Sequence, residues 1–444
     1  MRLILCFLML SQITFGQIIT GKVLEDGTNN PLSGVNIYVR STDEGTSTTG
    51  NGYFKLKTKL PLTEKDTIYF SFVGYSTKKL SISKLRTKDN IILLTQDYYN
   101  LKEIPVVSNR ILKYKINFKK LASLKEGIFS FGSLLVGNKI YVVGGDESFE
   151  EDTAMEAFSD YGDDLMSFIN HMRPNLSWQT FSGSLNIYDI PSNSWTKSNL
   201  KFEQRAYHTM NYFNYKIYIL GGKKLSDNKQ YEYLDSKIEV FDITKNTILN
   251  SNVNPHQAIN FASVVYDDNL IVMGGSTKLD INGNKIYSNK NHLLNLKTGY
   301  WYELNAMPKA KETKAVLIKN NIYLIGGFCQ RALNDIDVYN LTTGKWSSDR
   351  KLAFEVERPA LACNENTIYI FDDGKIQTYN VETKELKLYQ IDLYLKSAEL
   401  FCAENKLYIL GGFEKDRFTI TASEKLYSID LDEFNTTAPT EFNN

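Results

Sequence analysis

The residues best suited to chemistry stand in short polar clusters: Gln204, Arg205 and His208; His256 and Gln257; Glu312 and Lys314; Glu357 and Arg358; and Glu399. An arginine offers five donors in a fixed fork, which suits a carboxylate or the hydroxyls of a sugar. A carboxylate beside it could accept or deliver a proton. Other signals are missing. The four histidines, at 171, 208, 256 and 292, are scattered, and none is followed at the third position by Glu, the usual spacing of a zinc-binding pair. There is no nucleophile elbow, phosphate loop or EF-hand spacing. The clusters therefore read as binding positions, with no catalytic residue, metal or cofactor assigned.

Each cluster precedes the same phrase. Lys139-Ile-Tyr-Val-Val-Gly-Gly145 recurs as Lys216–Gly222, Asn269–Gly275, Asn321–Gly327, Thr367–Asp373 and Lys406–Gly412. A four- or five-residue apolar run is the length of a strand buried on both faces, and the closing glycines allow positive φ. Downstream stand Tyr188-Asp189, Phe241-Asp242, Leu294-Asn295, Tyr339-Asn340, Tyr379-Asn380 and Ile429-Asp430. Seven residues beyond the first member of each come Trp195, Ile248, Trp301, Trp346 and Leu386, with Thr436 breaking the rule in the last repeat. Turn formers fill the gaps, as hairpins require. A short strand also leads into each phrase, so every unit predicts four antiparallel strands and six units predict a ring.

Residues 111–434 thus resemble a six-bladed kelch β-propeller. In a kelch blade the lead-in to the inner strand and the loop from the second to the third strand share one face of the ring. The resemblance therefore places Arg205, His208, Glu312, Glu357, Arg358 and Glu399 around the channel mouth. Alternation of Leu112, Tyr114, Ile116 and Phe118 with polar neighbours predicts a half-buried strand that supplies the missing outer strand of blade six. Among kelch enzymes, a galactose oxidase-like copper site is not matched by these histidines. A sialic acid mutarotase-like enzyme, with Glu357 or Glu312 acting beside Arg358 or Arg205, is the alternative to a non-catalytic binding protein.

Ahead of the ring, Arg2 and the apolar Leu3–Leu10 predict a secretory signal peptide over 1–16, too short to span a bilayer. Residues 17–97 carry Thr20-Gly-Lys-Val23, Pro31–Ile37, Thr49–Phe54 and Phe70–Tyr75, short strands between Gly, Asn and Pro turns. This stretch, with Leu101–Val107 in the linker 98–110, resembles the carboxypeptidase regulatory-like domain, a transthyretin-type sandwich without peptidase chemistry. The fold expected is all-β: a small β-sandwich followed by the propeller. The resemblance implies an exported protein of a bacterial envelope (periplasmic, outer-membrane-associated or secreted), in contact with an outer-membrane component. Its partner is expected to be a protein, peptide or glycan. Fifty-one basic residues balance fifty-one acidic ones, so no broad positive field exists to hold nucleic acid. No other segment reaches the length of a transmembrane span.

The first repeat departs in length. An insertion over 146–177 carries nine acidic residues, no Lys or Arg before Arg173, and Met155, Phe158, Leu165, Met166, Phe168, Ile169 and Met172. Its composition fits short helices forming a lid or a docking element for a cationic partner; a calcium site and a solvated acidic loop are the other readings. The polar residues 435–444 are expected to be a disordered tail.

Overall fold

The computed structural model describes residues 17–97 and 112–441, apart from 43, 65, 176, 252–253 and 280–283. The expected leader, Leu101–Val107 and the rest of the linker lie outside the described residues. The chain divides into two compact units, Met1–Asn109 and Arg110–Asn444.

The first unit is a sandwich of two sheets. Ile18–Glu25 lies between Tyr53–Lys57, antiparallel, and Asn90–Leu94, parallel. The other sheet orders Glu44–Ser47, Asn36–Val39, Thr67–Ser71 and Lys78–Ser81. Alternation in Tyr53–Lys57 and Thr67–Ser71 sends every second side chain inward. Val23, Val35, Ile37, Leu56, Ile68 and Phe70 meet there with no exposed surface.

The second unit is a ring of six sheets, each running from an inner strand near the axis to an outer strand. The inner strands Gly132–Val136, Thr209–Phe213, Ala262–Tyr266, Glu312–Ile318, Ala360–Asn364 and Glu399–Ala403 pack one against the next, and the last against the first. The seven-residue offset has a simple cause: a tight hairpin puts those two positions directly opposite. Tyr188 pairs with Trp195, Phe241 with Ile248, Leu294 with Trp301, Tyr339 with Trp346 and Tyr379 with Leu386.

The glycine pairs stitch the blades together. In each repeat the second residue of the pair donates its backbone N–H to a carbonyl in the lead-in of the next blade. These bonds run Gly145 to Arg205 (2.7 Å), Gly222 to Ala258 (2.9 Å), Gly275 to Lys311 (2.8 Å), Gly327 to Val356 (2.9 Å), Asp373 to Leu395 (3.2 Å) and Gly412 to Ile128 (3.0 Å). The belt closes on itself. Asp373, where the fifth repeat lacks glycine, keeps the bond by taking a φ of 40°. A side chain is excluded elsewhere: a Cβ at Gly327 would stand 2.0 Å from the Glu312 carbonyl.

The latch corrects the expectation for 112–118. Lys115–Ile116 pairs in parallel with Gln390–Ile391 and adds a fifth strand to blade five. The outer strand of blade six is Lys119–Lys120, paired antiparallel with Tyr427 and Ser428. Only Ile116 and Phe118 turn inward, the latter edge-on to Tyr427 at 5.2 Å; Leu112 and Tyr114 are exposed. The expected disordered tail is also corrected through residue 441. Glu433–Thr436 is helical, Thr437 pairs with Lys113, and Thr440 pairs with Leu388. Backbone pairing along a sheet edge needs no apolar side chains, so polar composition did not reveal it.

Candidate functional site

The six positions nine residues ahead of each repeated phrase are Ser130, Tyr207, Asn260, Glu312, Arg358 and Ser397. Ser130, Tyr207, Asn260 and Ser397 take positive φ between 49° and 63°, which swings the chain from the lead-in into the inner strand. The preceding residue pairs back to the residue after the glycine pair: Phe129 to Asp146, Ala206 to Lys223, Ile259 to Ser276 and Lys396 to Phe413. Lead-ins and second-to-third-strand loops are thereby held on one face, and these six positions surround the axis there.

Two pockets meet at this mouth. The axial one is lined by all six blades, from Ser130 and Ser133 round to Ser397 and Glu399. The other is shaped by blades one, two, five and six, and is walled by Phe129, Phe149, Trp178, Tyr207 and Phe413. Phe149 and Trp178 stack at 4.8 Å, and Phe129 meets Phe413 edge-on at 5.2 Å. Tyr207 and Arg358 belong to both pockets. They project from opposite blades, and the guanidinium stands 5.9 Å from the ring centroid.

The electrostatics of that junction are polarised. The Tyr207 hydroxyl donates to the buried Asp146 carboxylate at 2.9 Å. Burial, reinforced by Asp146, pushes the phenol far up, so it stays a neutral donor. Lys223 Nζ lies 4.6 Å from the same ring and donates to Glu232. Arg358 gives one donor to Glu357 at 2.9 Å, while its buried Nε has no partner. An unused guanidinium donor beside aromatic walls suits a carbonyl or carboxylate of an incoming group.

Seven residues ahead of each phrase the inner strands carry Gly132, Thr209, Ala262, Lys314, Ala360 and Glu399. Lys314 and Glu399 join at 2.6 Å, reaching past blade five from blades four and six. That ion pair crosses the channel beneath the mouth, between residues small enough to leave room for it.

The sequence-derived rim is only partly assembled. Arg358 and Glu357 stand at the mouth; Glu399 lies inside the axial pocket. His208 lines that pocket but is buried, which lowers its pKa to about 3 and keeps the ring neutral. Arg205 is not at the mouth. Fully buried, it pairs with Glu239 at 2.6 Å and Asp235 at 3.0 Å. Glu312 is sealed as well, accepting from Ser276 (2.6 Å), Lys285 (3.0 Å) and Asn260 (3.1 Å). The acid/base set required by the mutarotase alternative therefore loses Glu312 and Arg205.

A recurring tie explains the displacement. In blades two to five, a polar residue two places before the third-strand aromatic or aliphatic position holds the lead-in of its own blade. Glu239 holds Arg205, Asp337 holds Lys311 at 2.8 Å, and Gln377 accepts from the Ala353 N–H at 2.7 Å. In blade three His292 meets His256 through their Nδ1 atoms at 2.9 Å, and His256 Nε2 donates to the Gly274 carbonyl. Buried polar groups need such partners. Among the described residues no cluster of three His, Cys, Asp or Glu could hold a metal, and Cys329, Cys363 and Cys402 are free thiols.

Residues 130–371, more than half the chain, match the KLHDC2/KLHL20/DRC7 Kelch-repeats domain. The chain belongs to the kelch-repeat family. Residues 19–106 match the CarboxypepD_reg-like domain. The kelch protein is also 25% identical over 196 residues to "Spermatocyte protein spe-26" of Caenorhabditis elegans, a match covering 43% of this chain and 34% of that protein. The chain thus spans about a third of that relative's length. Kelch repeats point to a role in protein binding. Sequence reading missed Tyr207 and the aromatic wall. The signal was available, since Tyr207 and Arg358 fill the same repeat position, whereas Phe149 lies in the irregular insertion and Trp178 directly follows it.

Proposed function

We propose that the kelch ring is a non-catalytic binding module that takes a segment of a partner protein on its loop face. The partner lays an apolar side chain against Phe149, Trp178, Phe129 and Phe413, and presents a carbonyl or carboxylate to Arg358. The observation that carries this reading is the junction itself. Two pockets share Tyr207 and Arg358, and the arginine keeps a buried, unpartnered Nε there. The neutral Tyr207, the tied Glu312 and the neutral His208 support binding over proton transfer. We further propose export to a bacterial envelope, on the strength of Arg2 and Leu3–Leu10, with the sandwich docking to an outer-membrane component. Among the described residues no helix is long and apolar enough to cross a membrane.

Selection of displayed random peptides on the full chain tests the binding reading, with a glycan array run in parallel. Selected peptides should lose at least tenfold in affinity on Arg358→Ala and on Trp178→Ala, about the 1.4 kcal/mol per decade of an interfacial anchor. Peptides bound equally well by both variants would overturn it. A glycan hit lost on the same substitutions would keep the pocket and change the ligand class.

A further inference from the structure

The insertion contributes more than a wall to the pocket. Its base, Phe149–Glu151, pairs with Thr419–Thr421 of blade six, and beyond it stand two helices in mutual contact, Thr153–Tyr161 and Leu165–His171, joined by a three-residue turn. Asp152 and Asp164 cap them, accepting from the Met155 and Met166 N–H groups. Phe158 and Phe168 meet edge-on at 6.0 Å, Tyr161 stacks on His171 at 4.0 Å, and Thr153 fastens the base to Asn175. The hairpin is therefore held together by its own contacts.

Its outer surface is not what a solvated acidic loop would present. Met155, Phe158, Leu165, Met166, Ile169 and Met172 are each at least half exposed. Three of the chain's eight methionines lie here. Such density of flexible thioethers and aliphatics suits a surface that repacks around another apolar face. The rim is mainly negative: Asp152, Glu156, Asp160, Asp163 and Asp164 are exposed, and no Lys or Arg occurs between 146 and 172, Arg173 at the foot of the hairpin being the first basic residue. Charge complementarity selects the occupant. An anionic membrane would be repelled, and a second copy of this hairpin would set like charges together.

We infer that the helical hairpin 153–172 is a second docking surface, which takes a cationic amphipathic helix of a partner protein. The helix seats its apolar stripe on the methionine, leucine and isoleucine side chains, and its Lys or Arg residues face the surrounding carboxylates. None of those apolar residues lines the pocket at the mouth, so this surface stands or falls independently of the pocket.

The test uses the full chain and a labelled fourteen-residue peptide of Leu and Lys arranged with a helical apolar stripe. A scrambled peptide of the same composition is the control. Fluorescence anisotropy should show saturable binding of the striped peptide, at least tenfold tighter than the scrambled one. Circular dichroism should show the peptide gaining helix. Leu165→Ser with Ile169→Ser should weaken binding at least tenfold, as should Glu156→Lys with Asp160→Lys and Asp163→Lys, while thermal melting stays unchanged. Equal binding of the scrambled peptide, or retention of affinity in both sets of variants, would overturn the inference. So would light scattering that shows a dimer abolished by Ile169→Ser, or binding of the chain to phosphatidylserine vesicles through the hairpin.

Discussion

Arg205 separates a structural tie from a binding residue, and Arg205→Met does so at nearly constant volume. In the native ring its guanidinium is fully buried against Glu239 and Asp235, themselves 5% and 0% exposed in the side chain. The substitution leaves two carboxylates in the interior without a counter-charge. Breaking a buried pair in this way costs about 3–5 kcal/mol. For a domain of this size that corresponds to a fall of roughly 4–7 °C in melting temperature. Burial already pushes Glu239 upward and Arg205 pulls it back, so in the variant this carboxyl should rise further above its unfolded value. The penalty is then largest at neutral pH and shrinks as pH falls and Glu239 takes up its proton. Differential scanning calorimetry at pH 7.5 and pH 5 reads both effects. A variant that melts within about 1 °C of the parent at pH 7.5 while losing a pocket ligand would refute the argument and return Arg205 to the mouth.

Other perturbations test the belt, the fifth blade and the latch. Gly327→Ala should abolish soluble expression or cost more than about 3 kcal/mol in urea melts, because strained backbone and a carbonyl clash coincide there. Gly299→Ala, with φ of 76° and open space around it, should cost only about 1 kcal/mol. Burial raises the Asp372 pKa to about 6, above an unfolded value near 3.9, so the folded chain holds the extra proton between those values. Its charged form therefore costs stability above pH 6, and Asp372→Asn should stabilise by about 1–2 kcal/mol at pH 7.5, the gain vanishing by pH 4 in melts across that range. Removing 437–444 deletes the pairings of Thr437 with Lys113 and Thr440 with Leu388. It should lower the melting temperature and speed hydrogen exchange at 113–120 and 388–391.

How far the chain could be read in advance depended on what each feature answers to. The hairpin offset, Tyr188 to Trp195 and its four counterparts, follows from covalent geometry and was legible at once. The glycine pairs were legible too, although their inter-blade bonds were not, since those depend on the neighbouring repeat. Side-chain direction in the lead-ins was hidden. A positive-φ residue such as Tyr207 turns the chain, so Arg205 two places earlier points inward to Glu239 while Arg358, at the turn itself, faces the mouth. Lys119 and Lys120 close blade six through backbone pairing of two lysines, which hydrophobic periodicity cannot register. The aromatic wall was missed because Phe149 lies within, and Trp178 directly after, an insertion with no repeat to align against.

Hydrogen exchange of the full chain with and without a selected peptide tests most directly whether the partner seats at the junction of Tyr207 and Arg358. Slowed exchange should appear at 146–150, 177–179, 206–208, 357–358 and 413–420. Protection confined to the opposite-face turns near 137–138, 214–215, 267–268 and 319–320, or to the sandwich at 18–94, would contradict the account.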